Sequence, residues 1–146
     1  MSHRFTIDPN GYKAMYGVHQ YVQGCGLDIG LLELLRLRIS QINGCAYCIA
    51  MHIPMALESG VSGDKVNLVA AWHEAGIFSP RECAALAWAE AVTLLPQRTV
   101  PDEVYAQARA EFSEQELANL TMAAVEINSW NRLMIASQTP PELKNS

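Results

Sequence analysis

Charge is scarce in this chain of 146 residues, where Asp, Glu, Lys and Arg together supply only 17%. The 10 Lys+Arg fall short of the 15 Asp+Glu, for a net charge of −5. No basic excess exists to release counterions from a phosphate backbone, so a general nucleic-acid partner is not expected. Long apolar runs are also missing. The stretch around Cys83 to Leu95 is interrupted by Glu90 and falls short of the roughly 20 residues that a membrane span needs. Met1-Ser2-His3-Arg4-Phe5 has no apolar run behind it, so a secretory leader and a membrane partner are not expected and the reading is cytoplasmic. Low-complexity tracts and internal repeats are absent.

What the chain has is apolar mass, at 50% of residues. That is too much for a disordered segment, and the length suits one domain, since domains mostly run about 100–200 residues. The expected unit is a single domain over 1–146, with its core at about 9–137 and a loose tail at 139–146. With so little charge to cover the surface, apolar area is expected to remain outside the core, which favours a homo-oligomer.

The periodicity is helical nearly throughout, and the expected class is all-α, with six to seven helices. Asp8-Pro9 opens a first helix, ended by Gly24 and Gly26. Asp28 caps a Leu-rich second helix that runs to about Ile42. Asn43-Gly44 reads as a helix C-cap with glycine just beyond the end, not as a hairpin turn. A third helix runs from Cys45 to about Ser59, with Pro54 expected to kink it. Ser62 and Asp64 open a fourth, ended by Gly76. Ser79 and Glu82 form a capping box that opens a fifth. Pro101 starts a sixth, and Ser113 with Glu116 opens a long seventh to about Ser137.

The chemistry concentrates between Glu33 and His52. Cys45, Cys48 and His52 fall on one helical stripe. With Cys45 read as the first helical residue after Gly44, both sulfurs lie near free N–H groups and the positive end of the helix dipole, which favours thiolate. In a chain of this kind a close cysteine pair means redox chemistry or metal, not a permanent staple. Glu33 stands about 15 Å back along the second helix from Asn43, and His52 about 12 Å along the third. An antiparallel hairpin would set them at similar heights. A Glu–His–Cys relay would then be possible, the carboxylate holding the imidazole and the imidazole taking the thiol proton.

Glu33, an eleven-residue spacer, Cys45-x-x-Cys48, three residues and His52 resemble the active-site signature of the AhpD-like alkylhydroperoxidases, within the carboxymuconolactone decarboxylase superfamily. The context from Leu37 to Cys48, and Ile127 to Arg132 near the end, resemble the same family. The resemblance runs from about Tyr12 to Ser137. It implies an all-helical fold, trimers or hexamers, and thiol-dependent peroxide reduction with no bound cofactor. By position, Cys48 resembles the peroxidatic cysteine, Cys45 the resolving one, and His52 with Glu33 the proton relay. It also implies a lipoyl-type or thioredoxin-like dithiol as reductant. Some family peroxidases carry a histidine between the cysteines, where this chain has Tyr47. The decarboxylase branch lacks the cysteine pair.

Other readings compete. Two Cys, one His and one Glu could supply four zinc ligands, but structural zinc usually draws them from two knuckles. The same cysteines could serve a non-enzymatic redox or metal sensor, and a divergent decarboxylase or isomerase would not need them. His3, His19 and His73 read as surface or half-buried residues whose polar groups are satisfied. Cys25 and Cys83 read as packing, and Trp72, Trp88 and Trp130 as core or interface. Asn128, Asn131 and Arg132 read as groups that hold helices or subunits together. Met51 and Met55 flank the stripe, where core filling is the default.

Overall fold

Asp28 accepts from the backbone N–H of Leu31 at 2.9 Å and starts the helix on which the molecule is organised. The computed structural model describes residues 3–95 and 98–144. In chain order the helices are α1 (Pro9–Gln23), α2 (Ile29–Asn43), α3 (Ala46–Glu58), α4 (Gly63–Leu68), a 3-10 turn (Val69–Ala71), α5 (Trp72–Ala75), α6 (Pro80–Thr93), α7 (Asp102–Glu111) and α8 (Glu114–Ser137). No strand occurs among the described residues, so the all-α expectation holds.

Helix α2 packs against α3, α6 and α8 and is buried on several faces. Leu32, Leu35 and Ile39 join the cluster built with Ala84, Ala85 and Ala89 of α6 and with Leu120, Ala123 and Ile127 of α8. Leu34 and Leu37 point into a second cluster with Ala56, Val69, Trp72 and Leu86. The remaining face carries Glu33, Arg36 and Ser40, all buried. Spacings of three and four put these polar groups on one stripe. A buried polar stripe must find partners within the protein.

Most helix ends lie where the sequence puts them. Ser79 with Glu82, and Ser113 with Glu116, form complete capping boxes. Gly44 adopts φ 71°, ψ 35° at the C-cap of α2, the left-handed conformation that glycine takes without a Cβ penalty. Two local expectations are corrected. Cys45 is the N-cap of α3, with extended φ −87° and ψ 97°, not its first helical residue. The fourth predicted helix is divided into α4, the 3-10 turn and α5. Helical dihedrals fail at Leu68 (φ −106°, ψ 0°) and Ala71 (φ −117°, ψ 35°). Burial of Val69 and Trp72 in the second cluster accompanies that break. Helix α3 runs through Pro54 without ending. Beyond α8, residues 139–144 have no regular structure, while Thr139 and Ser137 share a hydroxyl–hydroxyl bond of 2.7 Å.

A candidate active site between two buried carboxylates

The tight turn at Gly44 sends α3 back along α2. This brings Glu33 and His52 into direct contact, with Nδ1 of His52 2.7 Å from Oε2 of Glu33. Both side chains are buried. An ionised carboxylate only accepts, so Nδ1 carries the hydrogen and Nε2 is left as the basic nitrogen. The hairpin expected from the sequence is therefore observed, and no intervening atom is needed between these two residues.

At the start of α3 the cysteines are joined. Cys45 and Cys48 form a disulfide with their Cα atoms 5.3 Å apart. Cys48 donates its backbone N–H to Cys45 Sγ at 3.3 Å. The N-cap position of Cys45 explains both features. Its extended backbone swings the side chain over the first turn, where a serine or aspartate would otherwise cap. Cys48, three residues on, stays close to the free amides and dipole of that turn.

Arg36 extends the site. Its Nη1 donates to Glu33 Oε1 at 2.9 Å and to Gln23 at 2.6 Å. Its Nε and Nη2 donate to Glu126 Oε1 at 3.3 and 2.9 Å. Glu126, on α8, accepts in turn from Nδ1 of His19 at 2.7 Å and from the indole of Trp130 at 3.3 Å. The result is a continuous array, His52–Glu33–Arg36–Glu126–His19. Its three central members are buried to 4% exposure or less.

Burial opposes ionisation of Glu33 and is the largest single influence on it. The hydrogen bond and charge of His52, together with Arg36, outweigh that effect and hold the carboxyl below the usual carboxylate range. Glu126 behaves alike: burial pushes it up, but His19 and Arg36 bring it down further. Two ionised carboxylates therefore face one guanidinium. One proton added to either imidazole brings the five-residue array to neutrality.

All members of the array except Glu33 open on one cavity of about 290 Å³. Cys48, His52, Arg36, Glu126 and His19 supply its reactive and polar lining. Tyr12, Tyr16, Tyr47 and Trp130 supply aromatic walls, and Met51, Met55 and Met134 flexible apolar ones. Cys48 lines the cavity, whereas Cys45 stands behind it, 1% exposed. Burial raises the Tyr47 phenol above its ordinary value, with the charge of Glu142 and the nearby Tyr12 adding to the effect. A phenol in that position stays neutral and can donate.

All four residues singled out from the motif belong to this site, with Cys45 forming the base of the cysteine pair. Arg36 pairs with Glu33 within α2 and adds the link to α8. No motif in the sequence marks Glu126, and the sequence leaves His19 as either a surface residue or a half-buried one with its polar group satisfied; the second holds. His19 also faces the cavity. Asn43 donates to Asn128 and Asn131, each at 2.9 Å, and Asn131 donates to Ser40 at 3.0 Å. These bonds lash the end of α2 to α8, as expected. Cys25 and Cys83 are half-buried and outside the site. Among the described residues no group of three or more His, Cys, Asp and Glu is arranged to hold a metal ion.

The carboxymuconolactone decarboxylase family profile matches residues 9–91. The chain is 38% identical to YdfG of Bacillus subtilis (strain 168) over 132 residues, covering 90% of each protein. It superposes on ATU0492 of Agrobacterium tumefaciens with a TM-score of 0.95 and 33% identity, covering 98% of this chain and 100% of the other. ATU0492 is a protein of unknown function regarded as a candidate AhpD antioxidant-defence protein. The fold is shared with the debrominase Bmp8, solved with 2,3,4-tribromopyrrole, at a TM-score of 0.83 and 20% identity, covering 92% and 72%. Matched along more than half its length by the family profile, and over nearly all of it by these relatives, the chain is an AhpD-like member of the carboxymuconolactone decarboxylase family.

Proposed function

We propose that the protein is a thiol peroxidase that reduces organic hydroperoxides through Cys48 and Cys45. The observation that carries this reading is the order of groups at the cavity. Cys48 lines it beside His52, His52 is held by Glu33, and Cys45 sits behind Cys48 within disulfide reach. In the reduced protein His52 takes the thiol proton of Cys48. The thiolate attacks one peroxide oxygen, the O–O bond breaks, and an S–O bond forms. Sulfur is oxidised to the sulfenic acid, and the second oxygen leaves and takes up a proton to become an alcohol. The Cys45 thiol then displaces the hydroxyl, giving the disulfide and water. An external dithiol, of lipoyl type or on a thioredoxin-like protein, restores both thiols by exchange and is itself oxidised. No bound cofactor enters the cycle.

The aromatic and methionine walls favour organic over purely polar peroxides. Exposed Met122, Val125 and Ile135 on α8 support self-association into a homo-oligomer. No helix among the described residues is long and apolar enough to cross a membrane; the proposed site of action is the cytoplasm.

Steady-state turnover tests the reading. Cumene hydroperoxide should be reduced catalytically when dihydrolipoamide or reduced thioredoxin is supplied, and Cys48→Ser should abolish it. Turnover that survives loss of both cysteines would place the protein with non-thiol chemistry instead.

A further inference from the structure

The peroxidase cycle uses one histidine of the cavity, yet the cavity holds two, each gripped in the same way. Nδ1 of His52 is bound to buried Glu33, and Nδ1 of His19 to buried Glu126, both at 2.7 Å. Arg36 bonds both carboxylates. The two imidazoles come from different elements, α3 and α1, and both line the cavity. With Nδ1 engaged, Nε2 of His19 is the nitrogen left for a ligand, and it has no hydrogen-bond partner among the described residues. The His19 side chain is 31% exposed against 10% for His52, so it can exchange protons with solvent more readily.

The reaction needs two proton movements of opposite sense. One proton leaves the Cys48 thiol, and one must reach the oxygen expelled from the peroxide. An alkoxide is a strongly basic leaving group, and a positioned acid speeds its departure by about 10²–10⁴-fold. We infer that His19, held by Glu126, is a second catalytic acid–base residue that protonates the leaving alkoxide of an organic hydroperoxide. In balance, the Cys48 sulfur forms its bond to the proximal oxygen and loses two electrons. His19 acts in its imidazolium form, with Nδ1–H given to Glu126 and Nε2–H facing the ligand; the O–O bond breaks, and the distal oxygen takes both electrons and the Nε2 proton. The alcohol departs, and neutral His19 regains a proton from solvent. His52 then serves only the sulfur and passes the thiol proton on to solvent. The division matches the geometry, because Glu126 holds Nδ1 of His19 as Glu33 holds Nδ1 of His52.

The inference rests on the peroxidase reading, and one experiment separates the two. The rate of Cys48 oxidation is measured in the reduced protein with cumene hydroperoxide, hydrogen peroxide and peroxyacetic acid. The last expels acetate, which needs no proton. His19→Gln and Glu126→Gln should slow cumene hydroperoxide by about 10²-fold yet leave peroxyacetic acid within about threefold, a gap set by the same loss of acid assistance. His52→Ala should slow all three alike, since each requires the thiolate. The comparison is a ratio within one preparation, so a loss of folded protein lowers every rate together and leaves it unchanged. A uniform loss in the His19 and Glu126 variants, or none, would overturn the inference and leave the pair as an ion pair holding α1 against α8. If the unaltered protein reacts with all three no faster than free cysteine, the peroxidase reading falls and the inference falls with it.

Discussion

Arg36 donates to Glu126 through two nitrogens, Nε and Nη2, across ninety positions of sequence. The same guanidinium holds Glu33 three residues away. It is 1% exposed. Removing one partner of a buried ion pair leaves an uncompensated charge, at a cost of about 3–5 kcal/mol. Arg36→Met should therefore lower the unfolding free energy by about that amount, as read from urea melts at pH 7. Adding Glu126→Gln to Arg36→Met should restore part of the loss, because one orphaned charge is then removed. A single Arg36→Met variant as stable as the parent would mean that the array carries no net electrostatic load.

Acid stability follows from the same two carboxylates. Glu33 and Glu126 are both held below the ordinary carboxylate value, which is about 4.3 for glutamate in unfolded chains. Their contribution is fully present above the unfolded value and is lost as pH falls through the lower, folded values. Stability in urea should therefore decline as pH drops below about 4. In Glu126→Gln the decline should be shallower by the share of one group. An equal pH slope in parent and variant would show that Glu126 does not titrate between the folded and unfolded states.

The proton relay makes a kinetic prediction. His52→Ala and Glu33→Gln should each slow peroxide oxidation of Cys48, by about 10²-fold or more for His52, followed by thiol loss in stopped flow. The Glu33 effect should be smaller, since the carboxylate acts through His52. Raising the pH should rescue both variants by ionising the thiol without a base, an outcome that a purely structural defect would not give.

Much of this site could be read from the residues alone. Counting rise per residue from Gly44 puts Glu33 and His52 at matching heights, and local chemistry at Asp28, Ser79 and Ser113 marks helix starts that the structure keeps. What could not be read lies in tertiary packing. No glycine or proline marks the break at Leu68 to Ala71; it accompanies the burial of Val69 and Trp72, with the Trp72 indole donating to Glu90 at 2.8 Å. The link from Arg36 to Glu126 depends on how α8 crosses α2, which no local spacing encodes. One signal was nonetheless present: Glu126 stands beside Ala123, Ala124 and Ile127 on the apolar stripe of α8. A carboxylate on a core face needs a buried partner, and Arg36 on a Leu-rich helix was the cation in equal need. The position of Cys45 differs by one residue for a similar reason. Helix ends are settled by which group caps the free amides, and here a sulfur caps where an oxygen is the usual choice.

Gly44 fixes the hairpin that joins the two halves of the signature. An added Cβ would meet nothing within 4 Å there, so the cost of Gly44→Ala is backbone conformation alone. A left-handed residue with a side chain is disfavoured by roughly 1–2 kcal/mol. Gly44→Ala should lose about that much stability in denaturant melts, and Gly44→Asn less, because asparagine tolerates this conformation better.

The central claim is that Cys48 is a peroxidatic cysteine resolved by Cys45. It is tested most directly by titrating the reduced, metal-free protein with cumene hydroperoxide, counting thiols and locating the oxidised pair by peptide mass analysis. The account predicts that one equivalent removes two of the four thiols faster than free cysteine reacts. The product should be a Cys45–Cys48 disulfide, with Cys25 and Cys83 still reduced. Oxidation of all four cysteines alike, or at the rate of free cysteine, would contradict it.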